Sequence, residues 1–392
     1  MKKIIPALLI IISLLFAACG DEDENAGEAV EFQADGLTVA DSYAFRVNND
    51  RLYIWDFASN SYQVFCSQPD CKHETFAQNP NTKCTAVMPQ NVYNFNSAFI
   101  YNDRLYSIYQ SDVNQFVVYE ADTDGLNKKQ VFTADVAISS LVDPVLIDGK
   151  LVFVGSIMDT EVIDVQDIKE HYQLCLLDLS DMTFNNYGEI GIANENVLGK
   201  DSLYLYNDRI YFQHNEYTQG SSKSTVEYLD INSKERTVII ENNDNTNVWQ
   251  YDGNKMYYVI SDNYGTHSEV YCYDLDEDKS ELLFEGEGHV SRLYVDGDRI
   301  FYHYSIFGGE KNERGVGIYN TSTNEDVRKE SSATFYGHTS YGHLILYNEQ
   351  FGLLSDEDFW SFNFENADFS FDKIDPNDSN QQLLDMITGN EN

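Results

Sequence analysis

Basic residues are scarce in this chain. Lys and Arg total 25 against 65 Asp and Glu, a formal net charge of −40 over 392 residues. Such a surface repels phosphate backbones, which argues against nucleic acid as a partner, and it favours cations and basic surfaces. Proline occurs only six times, and no long Pro, Gly or Ser linker divides the chain. Past residue 18 no segment approaches the run of apolar residues that a membrane helix needs. There is no HExxH, since His73-Glu74 lacks a second histidine at the right spacing, and no G-x-S-x-G, S-x-x-K or P-loop pattern. Aromatic residues, by contrast, are plentiful: 28 Tyr and 23 Phe are too many for a disordered chain and require a packed core.

The one long apolar run, Ile4 to Ala18, follows Met1-Lys2-Lys3. It is short for a membrane span and right for the hydrophobic region of a secretory signal. It ends in Leu15-Phe16-Ala17-Ala18-Cys19, which resembles the lipobox of bacterial lipoproteins. That resemblance implies removal of residues 1–18, lipidation of Cys19, and anchoring to a bacterial membrane on its extracytoplasmic side. The alternative is an ordinary signal peptide cut after an Ala-x-Ala-like site, with Cys19 incidental. Losing Lys2 and Lys3 takes the formal charge to −42. Residues 19–27, with Gly20-Asp21-Glu22-Asp23-Glu24-Asn25, read as a solvated acidic tether.

From about residue 28 to residue 374 the chain repeats. Hairpin signals recur as YNDRLYSIY at 101, IDGKLVFVG at 147, YNDRIYFQH at 206, YDGNKMYYV at 251, VDGDRIFYH at 295 and YGHLILY at 341. Asn-Asp and Asp-Gly between aromatic and branched residues are short-hairpin chemistry, because these turns need a positive φ. A second marker is an alternating strand ending in Asp or Asn: Asp56, Asp122, Asp178, Asp230, Asp274, Asn320 and Asn363. Each period therefore holds about four strands, the content of one propeller blade. The spacing predicts an all-β fold, a β-propeller of seven four-stranded antiparallel blades, with six blades plus an accessory sheet as the alternative. Each short twisted sheet buries its two faces only between neighbours. The marker residues are expected to cap turns through side-chain to backbone hydrogen bonds. In the first copy both Asp35-Gly36 and Asn49-Asp50 qualify as the opening hairpin. Residues 375–392 form a polar tail.

The phrase from Val117 to Phe132, VVYEADTDGLNKKQVF, resembles the blade phrase of TolB-like and low-density-lipoprotein-receptor-like propellers, in which a strand ends in Asp-Gly-x-Asn-Lys. The other copies keep the pattern without the glycine. Cys66-Ser-Gln-Pro-Asp-Cys71-Lys-His73 follows the first repeat, as in a group of bacterial propeller lipoproteins. The resemblance implies fold and location and brings no catalytic residues with it.

Residues 66–91 form a polar excursion with the pattern Cys66-x4-Cys71-x-His73-x10-Cys84. Three thiolates and an imidazole could complete a tetrahedral zinc site. Outside the cell a disulfide competes. Pairing Cys66 with Cys84 would close a loop of about twenty residues, worth roughly 3 kcal/mol, and leave one cysteine over. A reduced set is the third outcome. Each reading that forms bonds makes the excursion a structural staple, and structural zinc is the only cofactor the sequence offers. Asp274, Asp276, Asp278 and Glu285 follow calcium-loop spacing, but Lys279 stands where glycine is needed, so calcium is not expected. His289 and His338 each follow a glycine, and with Trp249 and Tyr93 they fall on first strands that can line the central funnel. A ligand contact and an ordinary rim position are both open to them. Cys175 and Cys272 read as small buried hydrophobes.

These observations point to a monomeric, non-enzymatic binding or protein-interaction module for a protein or glycan, tethered to the bilayer through its N-terminus. The alternative is a hydrolase or lyase acting on an extracellular polymer, which requires two carboxylates and a histidine converging at the ring axis.

Overall fold

The structure is a computed structural model. It describes residues 30–369 apart from 34–36, 49, 91, 112–114, 139, 159–169, 193–195, 199–201, 219–220, 243–244, 263–264, 307–311 and 349. Cys19, the acidic tether and the polar tail lie outside the described residues. The chain forms a seven-bladed propeller.

Counted from the axis outwards, blade 1 is Leu37–Val39, Tyr43–Asn48, Arg51–Asp56 and Ser61–Val64, and blade 2 is Val92–Tyr101, Arg104–Ser111, Gln115–Asp122 and Lys129–Ala137. Blade 3 is Ser140–Ile147, Lys150–Met158, Glu170–Asp178 and Thr183–Ile192. In blade 4, Asn196–Leu198 and Tyr204–Tyr206 share the first position against Arg209–Thr218, followed by Ser221–Asp230 and Arg236–Asn242. Blade 5 is Asn245–Asp252, Lys255–Ser261, His267–Asp274 and Lys279–Glu287; blade 6 is His289–Asp296, Arg299–Ile306, Glu313–Asn320 and Glu325–Glu330. Blade 7 is Thr334–Thr339, Gly342–Tyr347 and Gln350–Leu354, with a single bridge from Leu353 to Asp368 at the fourth position.

Apolar side chains from adjacent blades meet in the seams. Phe99, Ile108 and Phe116 of blade 2 join Leu151, Phe153 and Cys175 of blade 3, all essentially inaccessible to water. Each such large side chain contributes about 1.5–3 kcal/mol on burial. The ring closes in the same way, with Leu37, Ala44 and Trp55 of blade 1 against Leu344 and Phe351 of blade 7. Asp41 adds a polar clasp, its carboxylate accepting from the Ser340 N–H at 2.7 Å and the Ser340 hydroxyl at 2.6 Å.

A first strand is also a sheet edge, so its backbone groups need partners. Polar side chains of the preceding blade supply them. Gln213 accepts from the Val248 N–H at 2.8 Å and His303 Nε2 accepts from the Phe335 N–H at 3.0 Å, while Gln110 donates to Ile138 O at 3.2 Å just ahead of the first strand of blade 3. Gln213 and His303 both stand four residues after the arginine that follows the first hairpin turn.

Five of the seven marker residues behave as expected. Asp56, Asp178, Asp230, Asp274 and Asn320 each accept backbone N–H bonds from the turn that follows, as in Asp230 from Asn232 at 3.0 Å and Ser233 at 2.8 Å. In the second copy Asp122 accepts instead from the Asn127 side chain at 2.6 Å and from Arg104, and the seventh copy departs further. Trp360 ends a short helix, α1 (Asp356–Trp360), and Asn363 precedes a 3-10 turn without making a side-chain cap. Ser355 starts that helix, its backbone still extended and its hydroxyl accepting from the Asp358 N–H.

Copy one is also resolved. Asp50 stands between the second strand and the third, so the Asn49-Asp50 match is not the opening hairpin. Val30–Gln33, which the Asp35-Gly36 spacing predicts as the blade's first strand, is an additional one. It pairs with Leu37–Val39 of blade 1 on one side and with Val145 and Leu146 of blade 3 on the other. Both partners are innermost strands, so this segment crosses the axial region and joins blades 1 and 3 into one nine-stranded sheet.

Candidate functional site

The excursion after blade 1 is held at both ends by a single strand. Phe65 N–H donates to Leu52 O at 2.9 Å as the chain leaves, and Leu52 N–H donates to Ala86 O at 3.0 Å as it returns. Val87 then bridges Arg51, and Met88 N–H donates to Asp50 O at 3.1 Å. The returning limb thus occupies the edge of the third strand that Ser61–Val64 vacates. Tyr53, Val64, Cys84, Ala86 and Val87 form a small apolar cluster beneath it.

Above that cluster the four predicted residues converge. Donor atoms of Cys66, Cys71, His73 and Cys84 all lie within 4.8 Å of one another, and the three thiols are free. Cys84 Sγ is 3.6 Å from His73 Nδ1. A zinc tetrahedron with its usual bond lengths has a sulfur–nitrogen edge of about 3.6 Å, so the spacing fits. His73 takes a left-handed backbone, φ 54°, which directs its ring to the sulfurs. That unusual conformation is held by Arg51, a buried guanidinium whose Nε donates to His73 O at 2.6 Å and whose Nη2 donates to Gln78 at 3.2 Å. The His73 N–H points at Cys71 Sγ, 3.4 Å away.

Protonation follows from this crowding. The Cys84 thiol donates to Cys66, and with backbone bonds from Gln68 and Thr85 it holds the Cys66 thiol down to about 3. The same shared proton pushes Cys84 up, reinforced by burial, and burial raises Cys71. One thiolate is therefore at home here, whereas a second and third need a cation beside them. Lys128 supplies part of that charge at the border, though burial lowers its ammonium to about 8.

Blade 2 completes the site. Lys128 donates to Thr85 O at 2.8 Å and reaches Val87 O at 3.5 Å. Gly125 turns with φ +80°, and a Cβ there would meet Thr85 Cβ at 2.9 Å. The Asp-Gly-Leu-Asn-Lys phrase, found intact in only one copy, is the surface on which the excursion docks. Sequence reading missed Arg51, Gly125 and Lys128 as parts of the centre. The loss of the glycine in every other copy was the available signal.

The proposed funnel residues go elsewhere. His289 opens the first strand of blade 6, half-buried, with Nδ1 3.2 Å from Ser261 Oγ, and burial lowers its pKa. His338 is the next-to-last residue of its first strand, so it sits at the opposite end of the channel from His289. The Gly-His match is therefore one of sequence only: His289 opens its strand, whereas His338 stands beside the hairpin turn that ends its own. Trp249 packs against the apolar seam of blades 5 and 6. Tyr93 lies in Val92–Tyr101, and its side chain is outside the described residues. Cys175 is fully buried, and Cys272 packs against the seam that holds Trp249. Asp274, Asp276 and Asp278 are occupied by turn amides, Tyr206 and Asn254, and Tyr273 respectively.

A cleft of about 700 Å³ opens between blades 2 and 3, bounded by Tyr101, Tyr106, Glu120, Gln130, Asp181 and Met182. Its charged wall is braced: Arg104 donates to Glu120 at 2.9 and 2.6 Å and to Asp122, with Lys129 3.5 Å from Glu120.

No family model matches the chain, and no curated protein matches it. Solved structures do. Oligogalacturonate lyase from Vibrio parahaemolyticus is 11% identical, with TM-score 0.52 over 83% of this chain and 88% of that one. The β-propeller domain of the trilobed protease from Pyrococcus furiosus is 10% identical, TM-score 0.49, over 90% and 100%. TolB from Acinetobacter baumannii is 13% identical, TM-score 0.35, over 82% and 76%. At these identities the likeness is one of fold alone.

Proposed function

We propose that the chain is a non-enzymatic binding module, a propeller held outside a bacterial membrane through Cys19 and stapled by a structural zinc at Cys66, Cys71, His73 and Cys84. The observation that supports binding most directly is the cleft between blades 2 and 3. Tyrosine faces, an amide and carboxylates surround an open concavity whose wall is fixed by the Arg104–Glu120 pair. That is the make-up of a seat for an extended polar ligand such as a glycan or a peptide segment, with orientation set by a few polar groups. The zinc has a mechanical part, holding the excursion rigid across the seam of blades 1 and 2. Ten residues lie between Cys19 and Val30, a path of eleven Cα steps. The mouth of the ring would therefore stand at most about 40 Å from the anchor.

A binding screen of immobilised glycans and extracytoplasmic proteins tests this with the full chain in membrane vesicles. Tyr101→Ala and Lys129→Glu are expected to lose the captured ligand, and His289→Ala and Trp249→Ala to keep it. Ligand cleavage by the wild type, or unchanged capture by both cleft variants, would overturn the reading. The hydrolase or lyase alternative requires two carboxylates and a histidine at the ring axis, and this cleft, away from the axis, would serve it only with such a set of its own. Tyr101, Glu120 and Asp181 bring no histidine to this cleft.

A further inference from the structure

Blade 7 carries a second constellation. His338 and His343 are direct register partners across its first hairpin, with ring centroids 4.7 Å apart. Both turn Nε2 towards one oxygen, Asp356 Oδ1, at 3.7 Å from His338 and 3.0 Å from His343. The three donor atoms lie within 4.8 Å of one another. We infer that these residues form a binding site for a divalent transition-metal ion, open to solvent on one side.

The donor set selects the ion class. Two imidazoles and one carboxylate suit zinc and its first-row neighbours, whereas calcium and magnesium prefer all-oxygen shells. An ion held at the usual bond lengths separates such donors by about 3.4 Å, and the two observed spacings bracket that value. A plain His–Asp hydrogen bond explains only His343. At 3.7 Å His338 makes no hydrogen bond to Asp356, yet its ring aims at the same oxygen, as a shared central ion requires.

The arrangement is held in place before any ion arrives. His343 is 2% exposed and lies flat on Phe359, 3.7 Å between centroids at 8°, so its ring cannot swing. The turn is locked by Thr339, whose hydroxyl donates to Gly342 O at 2.9 Å and accepts from the Tyr341 N–H at 3.2 Å. Gly342 has φ +125°, and a Cβ there would strike Leu354 O at 2.5 Å, which fixes the strand against the start of α1. His338 and Asp356 are exposed and leave room for water or a ligand group on the ion. His343 Nδ1 has no hydrogen-bond partner among the described residues. Metal-bound imidazoles are ordinarily steadied through that second nitrogen. The site is therefore expected to exchange its ion more readily than the sulfur-rich centre. Its position has a structural consequence: the ion would tie α1 to the one blade whose fourth strand is reduced to a single bridge.

Cobalt(II) titration of the full chain under reducing conditions separates the two centres, because thiolate ligands give an intense sulfur-to-metal charge-transfer band and His/Asp ligands do not. Wild type is expected to bind one equivalent without that band, whatever the cysteine centre does. His338→Ala and Asp356→Asn, both surface changes, should each weaken this equivalent about tenfold or more and leave any charge-transfer signal untouched. No band-free equivalent in the wild type, or one that survives both substitutions at full affinity, would overturn the inference.

Discussion

His303 makes the seam between blades 6 and 7 sensitive to acid. Its Nε2 accepts the Phe335 N–H at 3.0 Å, so the ring must be neutral with its proton on Nδ1. Burial, helped by the nearby Arg292 guanidinium, holds it down to about 3. An unfolded chain takes up this proton at about 6.5, whereas the folded ring resists until about 3. The unfolded state therefore gains on the folded one as pH falls below 6.5, by about 1.4 kcal/mol per unit, and the loss is complete near pH 3 at a total on the order of 5 kcal/mol. Between pH 7 and pH 5 the share of this one group is about 2 kcal/mol. His289 and His343 are lowered by burial too, so the wild-type curve alone cannot apportion the effect. His303→Gln keeps an acceptor for Phe335 and removes the titration. Urea melts of wild type and variant across pH 7 to 5 should diverge by about 2 kcal/mol in favour of the variant as pH drops. Parallel curves would refute the argument and place the acid-sensitive group elsewhere.

Gln213→Leu leaves the buried Val248 N–H without its acceptor and should cost about 1–3 kcal/mol in the same melts, well above a neutral volume change. Gly125→Ala combines φ +80° with a 2.9 Å contact to Thr85 and should cost about 1–3 kcal/mol. Because the strain falls on the docked excursion, the zinc proposed for the cysteine centre should, once loaded, also pass to a competing chelator faster than from wild type; equal rates would detach Gly125 from the centre. Asp41→Ala removes the clasp to Ser340 and should cost about 1 kcal/mol. Hydrogen exchange should report that loss first in blades 1 and 7, and uniform exchange would mean that the apolar closure alone sets the ring's stability.

The ring was legible because its determinants are local. Each hairpin turn needs residues that tolerate positive φ, and Asn102, Asp103, Asn207 and Asp208 adopt it where the repeat places them. Five of the seven marker residues cap the turn immediately after them, so there sequence distance and hydrogen-bond distance coincide. The ends of the chain were misread where locality fails. Val30–Gln33 carries an ordinary strand pattern, yet its second partner lies more than a hundred residues away in blade 3, and only the assembled ring offers that edge. The match WSFNF in copy seven is a coincidence of composition: Ser355 caps a helix just before it, and three acidic residues fill that helix's first turn.

The sites divide along the same line. Cys66, Cys71, His73 and Cys84 fall within nineteen residues, so their convergence could be anticipated, but the groups that hold them could not. Arg51 precedes the excursion, and Gly125 and Lys128 come from the next blade; their roles depend on the excursion folding over the seam. His338, His343 and Asp356 show the harder case. Gly337-His338 looks like Gly288-His289 in sequence, but His338 stands at the far end of its strand, where His289 opens its own. There it meets a cross-strand histidine and the first residue of α1, an element absent from the repeat. A ring built from near-copies advertises what the copies share. Its chemistry collects where a copy deviates, in this chain at the insertion after blade 1 and at the helix that replaces the outer part of blade 7.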